Sequence, residues 1–283
     1  MHTTHTLHFA GQIATVQSPN SELSQKIQTH FAHCLSPKKD VSTNACVDFS
    51  FKQTNDQWQL YEDDRLILTT HSAEQLLPLF MEQLLIRLIT PVDDHLIFHA
   101  AGVQFNQKGV ILCGDSGVGK STLTSTLIHQ GFAYLSDEIV AVPLSLDSMV
   151  GFPRSLVLKA DSKKVWEELL TAEDTRSAVY SSSQGSFWVP PTALSTAPVN
   201  IATTPQLLIF PRFQPESHFT PQPISAGKAA FNLLEQLANA RNLPRHGIKL
   251  VARFAKSKQA FEVTYSQTAM VADWLKKSLA AHD

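Results

Sequence analysis

Two hydrophobic periods alternate along the first third of the chain. Residues Leu7 to Val16 alternate as one strand. From Ser21 to Leu35 the spacing becomes helical: Leu23, Ile27, Phe31, Cys34 and Leu35 share one face, and Pro37 follows the end. Alternation returns at Cys46 to Phe51, Trp58 to Tyr61 and Leu66 to Leu68, with Glu62-Asp63-Asp64 as a hairpin turn between the last two. A second helix is predicted over Ala73 to Ile89, with Pro78 near its first turns and Thr90-Pro91 closing it. These elements predict a small α+β module over residues 1–92, and no chemical motif falls within it.

A second section, residues 93–283, opens with strand segments at Leu96 to His99 and Ala101 to Phe105. Asn106 to Gly109 reads as a hairpin turn into the apolar run Gly109 to Cys113, which has the length of a buried strand. Lys120 to Gln130 reads as a helix with Leu123, Leu127 and Ile128 on one face and Gly131 as its stop. Phe132 to Ser136 and Ile139 to Val142 read as strands around Asp137-Glu138. Ser162 to Leu170 reads as a helix, Thr171 to Ser186 as a Ser/Thr-rich loop, and Gln206 to Phe210 as a buried strand. Ala226 to Asn239 is predicted helical, Ile248 to Phe254 and Ala260 to Thr264 as strands, and Met270 to Ala281 as a terminal helix.

Between the strand at 109–113 and the helix at 120 lies Gly114-Asp115-Ser116-Gly117-Val118-Gly119-Lys120-Ser121. The run fits G-x-x-x-x-G-K-[ST], a loop whose backbone N–H groups surround nucleotide phosphates. Glycines allow positive φ and a close approach of backbone to anion. The helix that follows adds the positive end of its dipole. Lys120 can reach the β- and γ-phosphates, and the Ser121 hydroxyl can ligate Mg²⁺. The pattern therefore predicts a bound nucleoside triphosphate, held by residues 114–121 with Thr122 beside them. It does not say what happens to the γ-phosphate.

Asp137-Glu138 comes one helix later, a spacing that predicts a carboxylate pair on the strand beside the loop. Strand alternation sends neighbouring side chains to opposite faces, so one acid is expected to face metal or acceptor and the other to hold structure. An acidic turn between strands is the other reading of the same residues. Arg154 and Arg212 are candidates for bidentate contact with phosphate oxygens, with a surface salt bridge as the alternative for each. Arg212 is favoured because it ends an apolar strand, where α/β sheets often bind ligands.

Composition removes several classes. A formal net charge of −2 gives no basic field for nucleic acid. No stretch of about 18 apolar residues predicts a membrane span. Three cysteines, Cys34, Cys46 and Cys113, show no zinc or C-x-x-C spacing, which fits a reducing cytoplasm. The first residues lack a basic region followed by an apolar run, so no signal peptide is expected.

Phe98-His99-Ala100-Ala101-Gly102, the 114–121 loop and Leu135-Ser136-Asp137-Glu138 together resemble the catalytic domain of HPr kinase/phosphorylase, and more closely the HPr kinase-related proteins. Pro153 to Lys159 and Phe210 to Phe213 share the likeness, which covers about His95 to the C-terminus. The resemblance implies an α/β fold related to phosphoenolpyruvate carboxykinase: a phosphate-loop mixed sheet with flanking helices, here preceded by the small module. It also implies an ATP- and Mg²⁺-dependent kinase that phosphorylates a serine hydroxyl of a protein or peptide. A ribosomal peptide precursor is one acceptor it suggests, and assembly into homo-oligomers is another implication. By the same resemblance Asp137 is the base, His99 lies near it, Lys120 contacts the phosphates, and Ser121, Asp137 and Glu138 surround the metal. The family's second acid is usually aspartate, where this chain has Glu138. Thr122 stands where the true kinases have an acid, and their late arginine-bearing signature is not evident. Two other readings stay open: an ATP-binding regulatory protein without transfer, and a small-molecule kinase.

Overall fold

A computed structural model describes residues 2–36, 47–170, 179–181, 185–199 and 202–280. Strands β1 (Thr3–Phe9) and β2 (Gln12–Ser18) form a hairpin, followed by helix α1 (Ser21–Phe31). The alternation from Leu7 to Val16 is thus two strands rather than one. Ala10 (φ 45°) and Gly11 (φ 78°) form a tight turn that the pattern of apolar residues does not mark. Strands β3 (Val47–Thr54), β4 (Gln57–Glu62) and β5 (Arg65–Thr70) complete a five-stranded sheet ordered β1-β2-β3-β4-β5. The turn between β4 and β5 is at Asp63 and Asp64, both with positive φ, as expected from the acidic run. Helix α1 starts where the Asn20 side chain accepts the Leu23 N–H, and it buries Leu23, Ile27 and Phe31. Cys46 and Pro37 lie outside the described residues. Helix α2 (Ala73–Ile89) runs through Pro78.

The main sheet begins with β6 (His95–Phe105), a single long strand where two segments were expected, and β7 (Lys108–Cys113). Helix α3 (Lys120–His129), β8 (Ala133–Ser136), β9 (Ile139–Pro143) and β10 (Val150–Gly151) follow. Next come β11 (Leu156–Lys159), α4 (Lys163–Leu169), β12 (Tyr180–Ser181), β13 (Ser186–Val189) and the short α5 (Pro191–Leu194). Strands β14 (Thr204–Phe213) and β15 (Thr220–Pro223), helices α6 (Ala226–Glu235) and α7 (Ile248–Lys256), strand β16 (Gln259–Tyr265) and helix α8 (Thr268–Ala280) complete the order. The main sheet runs β10-β9-β6-β7-β14-β16-β15, with β8 also paired to β6. Strands β7, β14 and β16 are parallel, while β6 and β15 are antiparallel to their neighbours, so the sheet is mixed. Strands β11, β13 and β12 form a third, small sheet. Most of the loop expected at Thr171 to Ser186 lies outside the described residues.

Helices cover both faces of the main sheet. On one face Ile111, Cys113, Leu208 and Phe210 pack with Leu233 of α6 and Phe254 of α7. On the other, Val110, Leu112 and Ile209 pack with Leu123 and Leu127 of α3 and Leu275 of α8. Burial on both faces explains the unbroken apolar run before the loop. A further core joins the five-stranded sheet, α1 and α2 to Ile97, Ile139, Phe152 and Trp188 of the second section. Among the described residues no helix is long and apolar enough to cross a membrane.

Residues 248–254 are helical, not a strand. Val251, Phe254 and Ala255 are buried at spacings of three and four, and Lys249, Arg253 and Lys256 repeat at spacings of four and three. Ile248 is exposed and lies outside the buried stripe.

At Gly151 in β10 an added Cβ would fall inside the Leu135 backbone carbonyl. Gly151→Ala is therefore expected to destabilise by about 1–3 kcal/mol. Gly227→Ala, in α6 with open space around its Cβ, should be neutral or stabilising by roughly 0.5–1 kcal/mol. Urea unfolding of both variants checks this, and equal midpoints would contradict the packing at Gly151.

Candidate functional site

The loop from Gly114 to Ser121 leaves β7 at the carboxyl end of the parallel strands and enters α3. Gly114, Gly117 and Gly119 have φ of 153°, 94° and 95°. Gly119 is doubly constrained. Its left-handed backbone disfavours other residues, and an added Cβ would meet the Tyr265 hydroxyl at 2.8 Å and the Phe213 Cβ at 3.2 Å.

Long-range contacts hold the loop on several sides. The Phe213 N–H donates to the Val118 carbonyl at 3.3 Å, so the end of β14 is fastened to the loop. Gln236 donates from Nε2 to Asp115 Oδ1 at 3.2 Å, and Lys159 from Nζ to Ser116 Oγ at 3.2 Å. Thr122 and Ser162 share a hydroxyl hydrogen bond of 2.8 Å. Lys120 is buried and donates from Nζ to the Gly114 carbonyl and, at 3.0 Å, to the Asp115 carbonyl. Burial holds its ammonium below the usual pKa.

Part of this loop lines a cavity of about 810 Å³. Its floor comprises Ser116, Gly117, Gly119, Lys120, Ser121 and Thr122, and one end holds His99, Asp137 and Glu138. Gly114, Asp115 and Val118 support the loop but are not on the cavity surface. Arg212 is exposed and also absent from the lining, while its neighbour Phe213 faces in. The preference for Arg212 over Arg154 overlooked this alternation.

The acidic pair is at a bend between β8 and β9, both antiparallel to β6. Strand β6 separates them from β7, so the pair is one strand farther from the loop than the spacing suggested. Ser136 makes the bend: its Oγ accepts the N–H groups of Glu138 (3.2 Å) and Ile139 (3.1 Å) and donates to the Phe152 carbonyl. The bend breaks strand alternation, so both acids line the cavity instead of facing opposite ways.

The two carboxylates differ in what remains free. Asp137 is 4% exposed. Its Oδ1 accepts the Tyr134 hydroxyl at 3.1 Å and lies 3.4 Å from Arg154 Nη1, while its Oδ2 accepts the Val157 N–H at 3.1 Å. Burial pushes its carboxyl above the usual value, and Arg154 opposes that shift. Glu138 is part-exposed, accepts from Arg154 Nη2 at 2.9 Å and lies 3.3 Å from His99 Nδ1. Its place on the cavity wall leaves it the more accessible acid.

Arg154 is neither a free phosphate ligand nor a surface ion pair. Its guanidinium is 2% exposed, bridges the two carboxylates, donates to the Ser155 carbonyl and lies 5.9 Å from the Trp188 ring. Sequence reasoning also missed Phe213 and Tyr265 as cavity walls and Lys159 as a loop contact. The strand-end position of Phe213 was the available signal.

Ser121 and Glu138 fit a Mg²⁺ ion that arrives with a triphosphate, since Mg²⁺ uses one or two carboxylates plus substrate oxygens. Among the described residues no three His, Cys, Asp or Glu side chains cluster into a dedicated metal cage.

No protein-family model matches the chain, and no curated protein matches its sequence. Among solved structures, the HPr(Ser) kinase/phosphatase from Coxiella burnetii aligns over 66% of this chain and 92% of its own, at 10% identity and a TM-score of 0.33. A likeness of that size carries no functional argument, which must come from the cavity itself.

Replacing Arg154 with Met leaves the buried Asp137 and the part-exposed Glu138 without their counter-charge. The expected loss is about 3–5 kcal/mol at about pH 8. Without the guanidinium, folded Asp137 titrates still farther above its unfolded value. The folded state then binds more protons than the unfolded state, so stability falls as pH rises. The deficit of Arg154→Met should therefore shrink from about pH 8 to about pH 5. Urea titrations at both values test this, and a deficit that grows on acidification would refute the role assigned to the buried pair.

Proposed function

We propose that this chain is an ATP- and Mg²⁺-dependent kinase that transfers the γ-phosphate to a hydroxyl, with a serine of a protein or peptide as acceptor. The observation that carries the reading is one cavity holding an anion-binding loop at its floor and an accessible carboxylate beside a histidine at its end. Phosphoryl transfer requires charge neutralisation around the transferred group and an oriented acceptor, with little covalent chemistry from the protein. The loop N–H groups, the start of α3 and Lys120 supply positive potential for the phosphates. Mg²⁺, held through Ser121 and Glu138, would neutralise charge between the β- and γ-phosphates.

In this reading the acids divide their work. Asp137 holds Arg154 and the turn into β11, because it is buried and engaged by Tyr134, Val157 and Arg154, whereas Glu138 is part-exposed. Glu138 orients the acceptor hydroxyl or takes its proton, and His99 orients Glu138. This moves the acceptor-facing role from Asp137, where the family resemblance put it, to its neighbour. The serine acceptor and its protein or peptide context rest on that sequence resemblance alone.

The test is transfer of labelled phosphate from ATP to serine-containing peptides, with ATP binding followed in parallel. Glu138→Gln should lower the transfer rate by about 10²–10⁴-fold and change the binding of Mg²⁺-free ATP little. Lys120→Ala should weaken ATP binding itself. Wild-type transfer by Glu138→Gln would remove the assigned role. ATP binding with no transfer to any hydroxyl would favour an ATP-dependent regulatory protein.

A further inference from the structure

The wall opposite the acids has a composition that the phosphate reading does not use. It is formed by Phe213, Tyr265, Ser266, Gln267 and Thr268, where β14 and β16 end and α8 begins. Phe213 is 49% exposed, one of few large apolar side chains left open among the described residues. It is not loosely held. Its N–H is bonded to the Val118 carbonyl of the loop, and its ring packs edge-on to Tyr265 at 5.8 Å and 64°. A fixed aromatic face that opens into this cavity is a surface on which a planar group can stack.

Tyr265 supplies the second observation. It is 1% exposed, and its hydroxyl has no hydrogen-bond partner. A buried hydroxyl of this kind normally finds one. The oxygen lies against Gly119, the last glycine of the loop, where an added Cβ would be 2.8 Å away. A ligand oxygen entering the loop from this side would give that hydroxyl an acceptor.

We infer that Phe213 and Tyr265 form the nucleoside end of the site: the Phe213 ring stacks on the base, and the Tyr265 hydroxyl donates to an oxygen of the ribose. The inference rests on the nucleotide reading given above and extends it by fixing direction. The base lies at the β14–β16 wall, and the triphosphate runs across the loop toward Glu138 and His99. Ring stacking is tolerant of base identity, because every base has a π-face. Ser266 and Gln267 are the polar groups on the same wall that can reach a base edge.

Calorimetry or fluorescence titration with ATP and with inorganic tripolyphosphate tests the direction. Wild-type protein should bind ATP more tightly than tripolyphosphate. Phe213→Ala should weaken ATP binding by roughly ten- to a hundredfold and leave tripolyphosphate binding unchanged. Because Phe213 is exposed, this variant should keep the wild-type thermal midpoint. Tyr265→Phe should also weaken ATP selectively. It removes only an unpartnered hydroxyl, so the unliganded protein should be as stable as wild type or more so. Lys120→Ala should weaken both ligands. If ATP and tripolyphosphate bind equally, or Phe213→Ala weakens them by the same factor, the aromatic wall is not the nucleoside site, although the loop assignment stands. If neither ligand binds wild-type protein, the nucleotide reading itself fails, and the inference fails with it.

Discussion

A single buried guanidinium organises the end of the cavity where transfer is proposed. Removing a charge from water costs several kcal/mol after relaxation. Arg154 is tolerable only because Asp137 and Glu138 stand on its two Nη atoms and the Ser155 carbonyl accepts from it. The reverse also holds, since Asp137 has no other cation within ion-pair distance among the described residues. The triad therefore acts as a positional constraint more than a source of stability. It fixes the bend between β8 and β9, and with it the direction of Glu138. Tyr134 reinforces the same point, its single O–H shared between Asp137 Oδ1 and the Arg154 carbonyl.

That constraint reaches into the first section of the chain. The Ser155 N–H donates to the His30 carbonyl at 2.7 Å, and the Ser155 hydroxyl is 2.9 Å from His30 Nδ1. His30 lies in the last turn of α1 and packs edge-on to Trp188, the same ring that faces Arg154. Burial brings its pKa down to about 4, so the imidazole is neutral at physiological pH and adds no second cation beside Arg154. Residues that carry no motif thus form the wall behind the acidic pair.

The parts of this site that could be read from sequence are local. The 114–121 loop is contiguous, its flanking strand is apolar on both faces, and its helix has an apolar stripe, so each prediction needed only neighbours in the chain. The acidic pair was visible for the same reason, but its geometry was not. Alternation predicted opposite faces, and the Ser136 side chain overrode it by capping two successive N–H groups. Arg154, Phe213 and Tyr265 depend on strand order, since each meets the site only because β10, β14 and β16 return to it. Residues 248–254 failed on period: a short apolar segment with β-branched residues fits both templates until its charged positions are counted.

Sheet order also accounts for the cavity's polarity. Strands β7, β14 and β16 are parallel, so the loop, Phe213 and Tyr265 all emerge at the same carboxyl edge. Strand β6 runs the other way, and β8 and β9 pair with it antiparallel, so the bend with its acids is carried by strands on the opposite side of β7. The edge therefore has an aromatic wall at the ends of β14 and β16 and an anionic wall across β6 from β7, with the loop and Lys120 between them. A triphosphate lying on that floor with its nucleoside toward the acids would put three anionic phosphates against aromatic carbon and leave the carboxylates facing a neutral base. In the proposed kinase reading, the opposite orientation would place the γ-phosphate beside Glu138. Sheet order thus makes the two ends of the cavity electrostatically unlike.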